Sequence, residues 1–203
     1  MFVNSDFLSF LDSLDRSLFL VLNKNHTPLL DTVMWYVSKM WVWMPVYAFL
    51  VFLVFKKLPW RSFFLFLLFV AMLLFVTDFV SVHAIKSTVM RLRPSHNPEL
   101  VDQVKMVVDE NGNLYRGGKF GFFSNHTSNN FGVAVFFFLV MKPLRRGYSI
   151  LLFTWVSLIA YSRIYLGVHY PGDIVAGALY GAVAAWVIFR IFAYTNAKMK
   201  FIV

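Results

Sequence analysis

A chain of 203 residues that is 59% hydrophobic, with 24 phenylalanines and a mean hydropathy of +0.65, is too apolar for a soluble domain of that length. Its formal charge of +9 does not mark a nucleic-acid binder, because the positive residues sit in short loops between apolar runs, where they act as orientation signals. With no cysteine, disulfides and thiolate metal sites are excluded, and residues 1–203 are expected to form one all-α polytopic membrane helix bundle.

The start of the chain lacks the basic stretch, apolar run and small-residue cleavage site of a signal peptide. Within residues 1–26, Phe7, Leu8, Leu11, Leu14, Leu18 and Leu22 recur at helical spacing among Asp6, Asp12, Asp15 and Arg16, which predicts an amphipathic interfacial helix. About five spans follow, near residues 33–55, 62–82, 129–141, 148–167 and 173–194, the third beginning a turn early around His126. Lys56, Lys57 and Arg61 separate the first two spans, Lys142, Arg145 and Arg146 the third and fourth, and Lys198 and Lys200 follow the fifth. These segments carry no acidic residue, so they mark the cytoplasmic side. The long loop 94–125, which mixes both signs of charge, then faces the opposite side together with the His169 turn. Inside this loop "VKMVVDENGNLYRGG" suggests a small hairpin over an Asn-Gly turn, with a disordered loop the alternative. Its place makes it a candidate lid.

Three polar clusters fall on that outer side. In "KSTVMRLRP", Lys86 and Arg93 lie seven residues apart, which brings both to one helix face before Pro94 ends the helix. A pair of snorkelling cations fits the same pattern. In "FSNHTSNN", Ser124 resembles an N-cap that leaves backbone N–H groups near Asn125 and His126 free for an anion such as phosphate. A structural histidine there is the plain alternative. In "YSRIYLGVHYPGD", Arg163 ends one span, and Pro171 and Asp173 suit the first turn of the next. Asp173 is placed to accept from one ring nitrogen of His169 and leave the other as an oriented nucleophile. A helix cap beside an interfacial histidine is the alternative.

Taken together, three cations, two histidines, one carboxylate and a helix start collect at one membrane depth, where charge defaults to function. Lys86, Arg93 and Arg163 supply positive charge for phosphoryl oxygens, and two histidines can divide nucleophile and general-acid roles. No carboxylate cluster suits magnesium, so metal-free chemistry without a cofactor is expected.

At these residues the chain resembles the type-2 phosphatidic acid phosphatase superfamily. Its Lys-x6-Arg-Pro segment matches Lys86 with Arg93-Pro94, and its Ser-Arg-x5-His-x3-Asp segment matches Ser162-Arg163, His169 and Asp173. The Pro-Ser-Gly-His segment departs, since Phe123-Ser124-Asn125-His126 keeps only the serine and histidine. The resemblance implies that His169, oriented by Asp173, attacks phosphorus to form a phosphohistidine, and that His126 protonates the leaving oxygen. It also implies that Lys86, Arg93, Arg163, Ser124 and the backbone near Asn125 hold the phosphate. The implied partner is a membrane lipid phosphate, first undecaprenyl diphosphate, then lipid A, then phosphatidylglycerol phosphate, at the outer side of a bacterial inner membrane.

Two other function classes fit part of the pattern. A transporter or channel would use Asp78 and the arginines along a path through the membrane, whereas most polar residues sit at one end. A haem bundle would use His83 and His126 as axial ligands. Asp78 itself is open between a cross-helix bond, tuning of a site cation, and a position near water. The small face Asp173, Gly177, Gly181 and Ala185 is expected to pack closely against another span and fix the His169 turn.

Overall fold

Apolar runs interrupted by caps and prolines dictate the helices. The computed structural model describes residues 5–141 and 146–200, with no strand among the described residues. Helix α1 (Ser5–Leu22) leads into α2 (Pro28–Val37), whose start is fixed by Pro28 and by Thr27, which accepts from the Leu30 N–H at 3.2 Å. The chain breaks at Ser38 and resumes through a 3₁₀ turn, Met40–Trp43, into α3 (Met44–Lys57). That break corrects the first expected span, which runs Met40–Lys57 rather than from residue 33. Helix α4 (Trp60–Phe79) continues as a π-helical segment, Val80–Lys86, and a short α5 (Ser87–Val89). Met90, in the left-handed region at φ 47°, ends it. The chain closes with α6 (Asn125–Val140), α7 (Arg146–Tyr165) and α8 (Pro171–Lys200).

Four helical stretches, Met40–Lys57, Trp60–Phe79, Gly147–Tyr165 and Pro171–Met199, are long and apolar enough to cross a membrane. The other expected span is α6, whose 16 residues reach roughly 24 Å at 1.5 Å per residue, short of a full hydrocarbon core. It sits in the middle of the bundle against α4, α7 and α8. Phe66, Phe69 and Leu73 of α4 meet Ala134, Phe136 and Phe137 of α6, Val156 of α7 and Ile188 and Phe192 of α8. The outward faces stay apolar, with Phe49, Phe52, Phe64, Leu68, Leu179 and Val183 exposed, as a helix set solvated by lipid requires.

Hydrogen bonds fix the helix directions. The Ser124 N–H donates to the Asp173 carbonyl at 3.1 Å, so α6 and α8 begin at one level and run parallel. The end of α4 arrives at the same level, where Asn125 Nδ2 donates to Asp78 Oδ1 at 2.8 Å. At the far end Ser62 Oγ donates to Asn196 Oδ1 at 2.6 Å, near Lys56, Lys57, Arg61 and Lys198. Lys142 and Arg145 lie outside the described residues, as do the side chains of Arg146 and Lys200.

The small face of α8 does approach another helix. A Cβ added to Gly177 would stand 2.7 Å from the Ser124 carbonyl oxygen, and one on Gly181 2.2 Å from that of Ser128. The expected hairpin reduces to a turn, since an isolated bridge joins Val108 and Leu114 while the Asp109 carboxylate accepts from the Asn111 and Asn113 N–H groups at 2.9 and 3.0 Å. Helix α1 exposes Phe7, Leu8, Leu11, Leu14 and Leu18, while Asp12 and Asp15 turn inward onto the protein.

Candidate active site

Four helix ends meet at the level where α6 and α8 begin, and they enclose a cavity of about 320 Å³. Lys86, Arg93, Asn125, His126, Arg163 and His169 all line it, joined by Asp78, Asn129 and Tyr115. Six of the eight sequence-derived candidates therefore share one wall, and the other two, Ser124 and Asp173, lie directly behind it with no exposed surface.

Each side chain is placed by its helix end. Arg163 comes from the last turn of α7, and Gly167, at φ 73°, lets the chain reverse there where a side chain would be strained. His169 follows in the five-residue link and is buried. Its Nδ1 lies 3.4 Å from Asp173 Oδ2, which also accepts from the Tyr170 N–H at 3.0 Å. Burial, and then Arg93, Arg163 and Lys86, hold the His169 imidazole well below its ordinary pKa. The ring is thus neutral near pH 7, with Nδ1 toward the carboxylate and Nε2 available as a nucleophile.

The cations are poised for an anion. Burial and then Arg93 push the Lys86 ammonium down to about 8, against the pull of Asp78. Burial and then Arg163 push Arg93 down to about 10. Arg93 Nε donates to the Phe120 carbonyl at 3.2 Å and Arg163 Nη2 to the Tyr115 hydroxyl at 3.1 Å. Arg93 Nη1 and Arg163 Nε are buried with no acceptor among the described residues. Unpaired donors of like charge around one cavity are costly alone and are relieved by a multiply charged oxyanion.

Ser124 is the N-cap of α6, as its position suggested, accepting from the Thr127 N–H at 3.4 Å and the Thr127 hydroxyl at 3.1 Å. Its hydroxyl faces α6 rather than the cavity lining. Asn125, which stands where the family pattern has glycine, is held between Ser81, which donates to its Oδ1, and Asp78. Asp78 thus makes a cross-helix bond and also opposes the lowering of Lys86. Asn130 Nδ2 donates to the His126 carbonyl at 2.7 Å and its Oδ1 accepts from Tyr47, which steadies the first turn of α6. His83 stacks on Phe79 and does not line the cavity, so the haem pairing with His126 has no geometric support.

Sequence reasoning missed Arg91, Tyr115 and Ser81. Arg91 Nη1 donates to Asp173 Oδ1 at 2.9 Å. Its place two residues before Arg93 would have put it on a different helical face, but the helix has already ended at Met90. Ser81 follows Asp78 by three residues, a same-face spacing that carried the signal. Tyr115 lies in the long loop, where spacing has no meaning.

The match of the PAP2 superfamily to residues 60–197 covers all of these residues except those of α1, α2 and α3. The chain is 34% identical to a lipid A 4′-phosphatase of Bacteroides thetaiotaomicron over 195 residues, 95% of this chain and 83% of that protein. It is 33% identical to a lipid A 4′-phosphatase of Porphyromonas gingivalis over 192 residues, 94% of this chain and 78% of that one. Among solved structures, Aquifex aeolicus LpxE superposes with a TM-score of 0.58 at 21% identity, over 87% of this chain and 95% of that one. A PAP2-type phosphatidylglycerolphosphate phosphatase from Bacillus subtilis superposes with a TM-score of 0.63 at 19% identity, over 93% and 87%. At these identities the two structures speak to the fold alone.

Proposed function

The chain belongs to the PAP2 superfamily and is a multi-pass membrane lipid phosphatase, and from that premise we propose that it removes the 4′-phosphate of lipid A on the outer side of a bacterial inner membrane. The chemistry rests on one observation above all: three cations and two histidines line a single cavity at one end of an apolar bundle. The substrate follows the two lipid A 4′-phosphatases, whose similarity runs over nearly the whole chain. This reorders the sequence-based expectation, which put undecaprenyl diphosphate first. The orientation follows the basic residues Lys56, Lys57, Arg61 and Lys198, which gather at the opposite end of the bundle.

In the proposed mechanism the phosphate monoester enters with its oxygens toward Lys86, Arg93 Nη1 and Arg163 Nε. His169 Nε2 attacks phosphorus, and the P–O bond to the sugar breaks. His126 takes up the proton that the bound monoester monoanion carries and passes it to the leaving oxygen. The neutral His126 then takes a proton from water, which attacks the phosphohistidine, and the P–N bond breaks to return His169 and free phosphate. Asp173 keeps Nδ1–H fixed throughout and stabilises the ring as positive charge develops on it. The positive groups are already in place before the reaction, so little reorganisation is needed as charge develops on the phosphoryl oxygens. An apolar slot of about 240 Å³, lined by Leu50, Val51, Phe66, Leu67 and Val70, opens beside the cavity and shares Asn129 and Asn130 with it. It is suited to an acyl chain.

The test is phosphate release by detergent-purified protein, with EDTA present, on lipid A, undecaprenyl diphosphate and phosphatidylglycerol phosphate. We expect release from lipid A, with mass spectrometry showing the 1-phosphate retained, and less than about 0.1% of that rate in His169→Ala. Full activity in His169→Ala would overturn the mechanism. Preference for either other lipid would overturn the substrate.

A further inference from the structure

We propose that Arg91, held by Asp12 and Asp15 of α1, is a positioning residue for the His169–Asp173 pair, so that the N-terminal interfacial helix forms part of the catalytic apparatus. The inference rests on His169 being the nucleophile, and it assigns a role to a variable position of the first motif and to two residues of α1 outside the motifs.

The Asp173 carboxylate is buried and each oxygen has separate work. Oδ2 lies toward His169 Nδ1 and accepts from the Tyr170 N–H, while Oδ1 accepts from Arg91 Nη1 at 2.9 Å. Without Arg91, Oδ1 would be a buried acceptor with no partner, and the carboxylate would be free to rotate away from the ring. Arg91 is itself over-determined. Its Nη2 lies 2.9 Å from Asp12 Oδ1 and 2.8 Å from Asp15 Oδ2, and its guanidinium lies over the Tyr170 ring at 4.1 Å. Burial pulls the Arg91 pKa down, but Asp173, Asp15 and Asp12 more than offset this, so it stays charged.

Asp15 also accepts from the Gly172 N–H at 2.7 Å, in the first turn of α8. A Cβ at Gly172 would meet the same carboxylate at 2.7 Å, so the two helices touch where α8 starts. At the other end of α1, Asn23 Nδ2 donates to the Tyr165 carbonyl at 2.7 Å and to the Ile164 carbonyl at 3.2 Å. Helix α1 therefore braces both sides of the link that carries His169. Phe7, Leu8, Leu11, Leu14 and Leu18 face outward while Asp12 and Asp15 face inward, the arrangement a helix needs to lie against lipid while docking through charge.

The pH profile separates positioning from mere stability. His169 must be neutral to attack, and the charged groups around it are Asp173 and Arg91 on one side and Arg93, Arg163, Lys86 and His126 on the cavity side. In Arg91→Gln a positive charge is lost, so protonated His169 is favoured and the acid limb of kcat/KM moves up by about 1 pH unit. Asp12→Asn with Asp15→Asn removes negative charge, keeps the Gly172 bond through the amide oxygen, and moves the limb down by a few tenths. We expect kcat to fall about 10–100-fold in Arg91→Gln with KM within about threefold, and part of the loss to return in Arg91→Lys with the limb at its wild-type position.

These profiles would be measured on lipid A in detergent beside thermal melts and the His169→Ala control. Unchanged kcat and limb in both variants would overturn the proposal, as would losses that track the folded fraction with the limb fixed. If Arg91→Gln yields no folded protein, the Asp12 and Asp15 double variant decides alone, a fixed limb again overturning the proposal. Activity in His169→Ala would instead remove the reading beneath it.

Discussion

Replacing Gly181 by alanine tests whether the contact between α6 and α8 sets the geometry of the site. The new Cβ would stand 2.2 Å from the Ser128 carbonyl oxygen and 3.0 Å from both Ser128 C and Gly132 N, all of them backbone atoms that no rotamer change can move. Contacts below 3.0 Å are essentially never adopted, so the helices must separate by about 0.8 Å at least, or unwind locally, at a cost of about 1–3 kcal/mol. For a chain of this size that is a fall in Tm of about 2–12 °C. His126 rides on the first turn of α6 and Asp173, which holds His169, on the first turn of α8, so the separation shifts the proposed general acid relative to the proposed nucleophile. A displacement near 1 Å costs about 100-fold in rate when reacting groups must be aligned. Purified Gly181→Ala should therefore show both the lower Tm and a kcat reduced about 10–100-fold, while Gly147→Ala, whose Cβ would meet nothing within 4 Å, should match wild type. Wild-type kcat and Tm in Gly181→Ala would refute the reasoning.

Two further outcomes follow from the cations. Lys86, pushed down to about 8, carries its charge below that pH and loses it above, so kcat/KM should be level between the acid limb set by His169 and pH 8 and fall about tenfold per unit beyond it. In Lys86→Arg this alkaline fall should disappear, and its persistence would assign the limb to another group. Tyr115→Phe removes the hydroxyl that accepts from Arg163 Nη2 and leaves a buried donor unpaired, at about 1–3 kcal/mol. A melt lowered by several degrees with a several-fold drop in kcat/KM is the expected result, and an unchanged melt would count against that bond.

The helices were legible because their signals are local and redundant. Long apolar runs fixed α4 and α8, Ser124 announced the start of α6, and Pro171 that of α8. The first span begins later than its apolar pattern implies, because residues 33–37 are apolar enough to join it while the break at Ser38 and Lys39 has no proline or glycine to mark it. The candidate site residues were legible for another reason: charged and amide side chains have few reasons to sit at a membrane boundary, so each one stood out. Arg91 was not, because its partners are 79 and 82 residues away in sequence. The inward docking of α1 is likewise not legible, because charge on an amphipathic helix ordinarily faces water. Asp12 and Asp15 turn inward because the half-buried Arg91 beside them needs carboxylate partners.

The convergence of helix ends gives the site its electrostatic character as well as its shape. The N-termini of α6 and α8 bring partial positive charge to the level where Lys86, Arg93 and Arg163 also lie. Such a concentration opposes folding unless something balances it. Asp78 lies beside Lys86, and Asp173 is held behind the wall by Arg91, so the cavity itself keeps an excess of positive charge. That excess suits the cavity to hold an anionic phosphate group, as the proposed function requires. Of the carboxylates near the site, Asp78 lines the cavity and is tied to Asn125, whereas Asp173 lies between His169 and Arg91, and Asp12 and Asp15 lie behind Arg91, so these three stand outside the cavity lining.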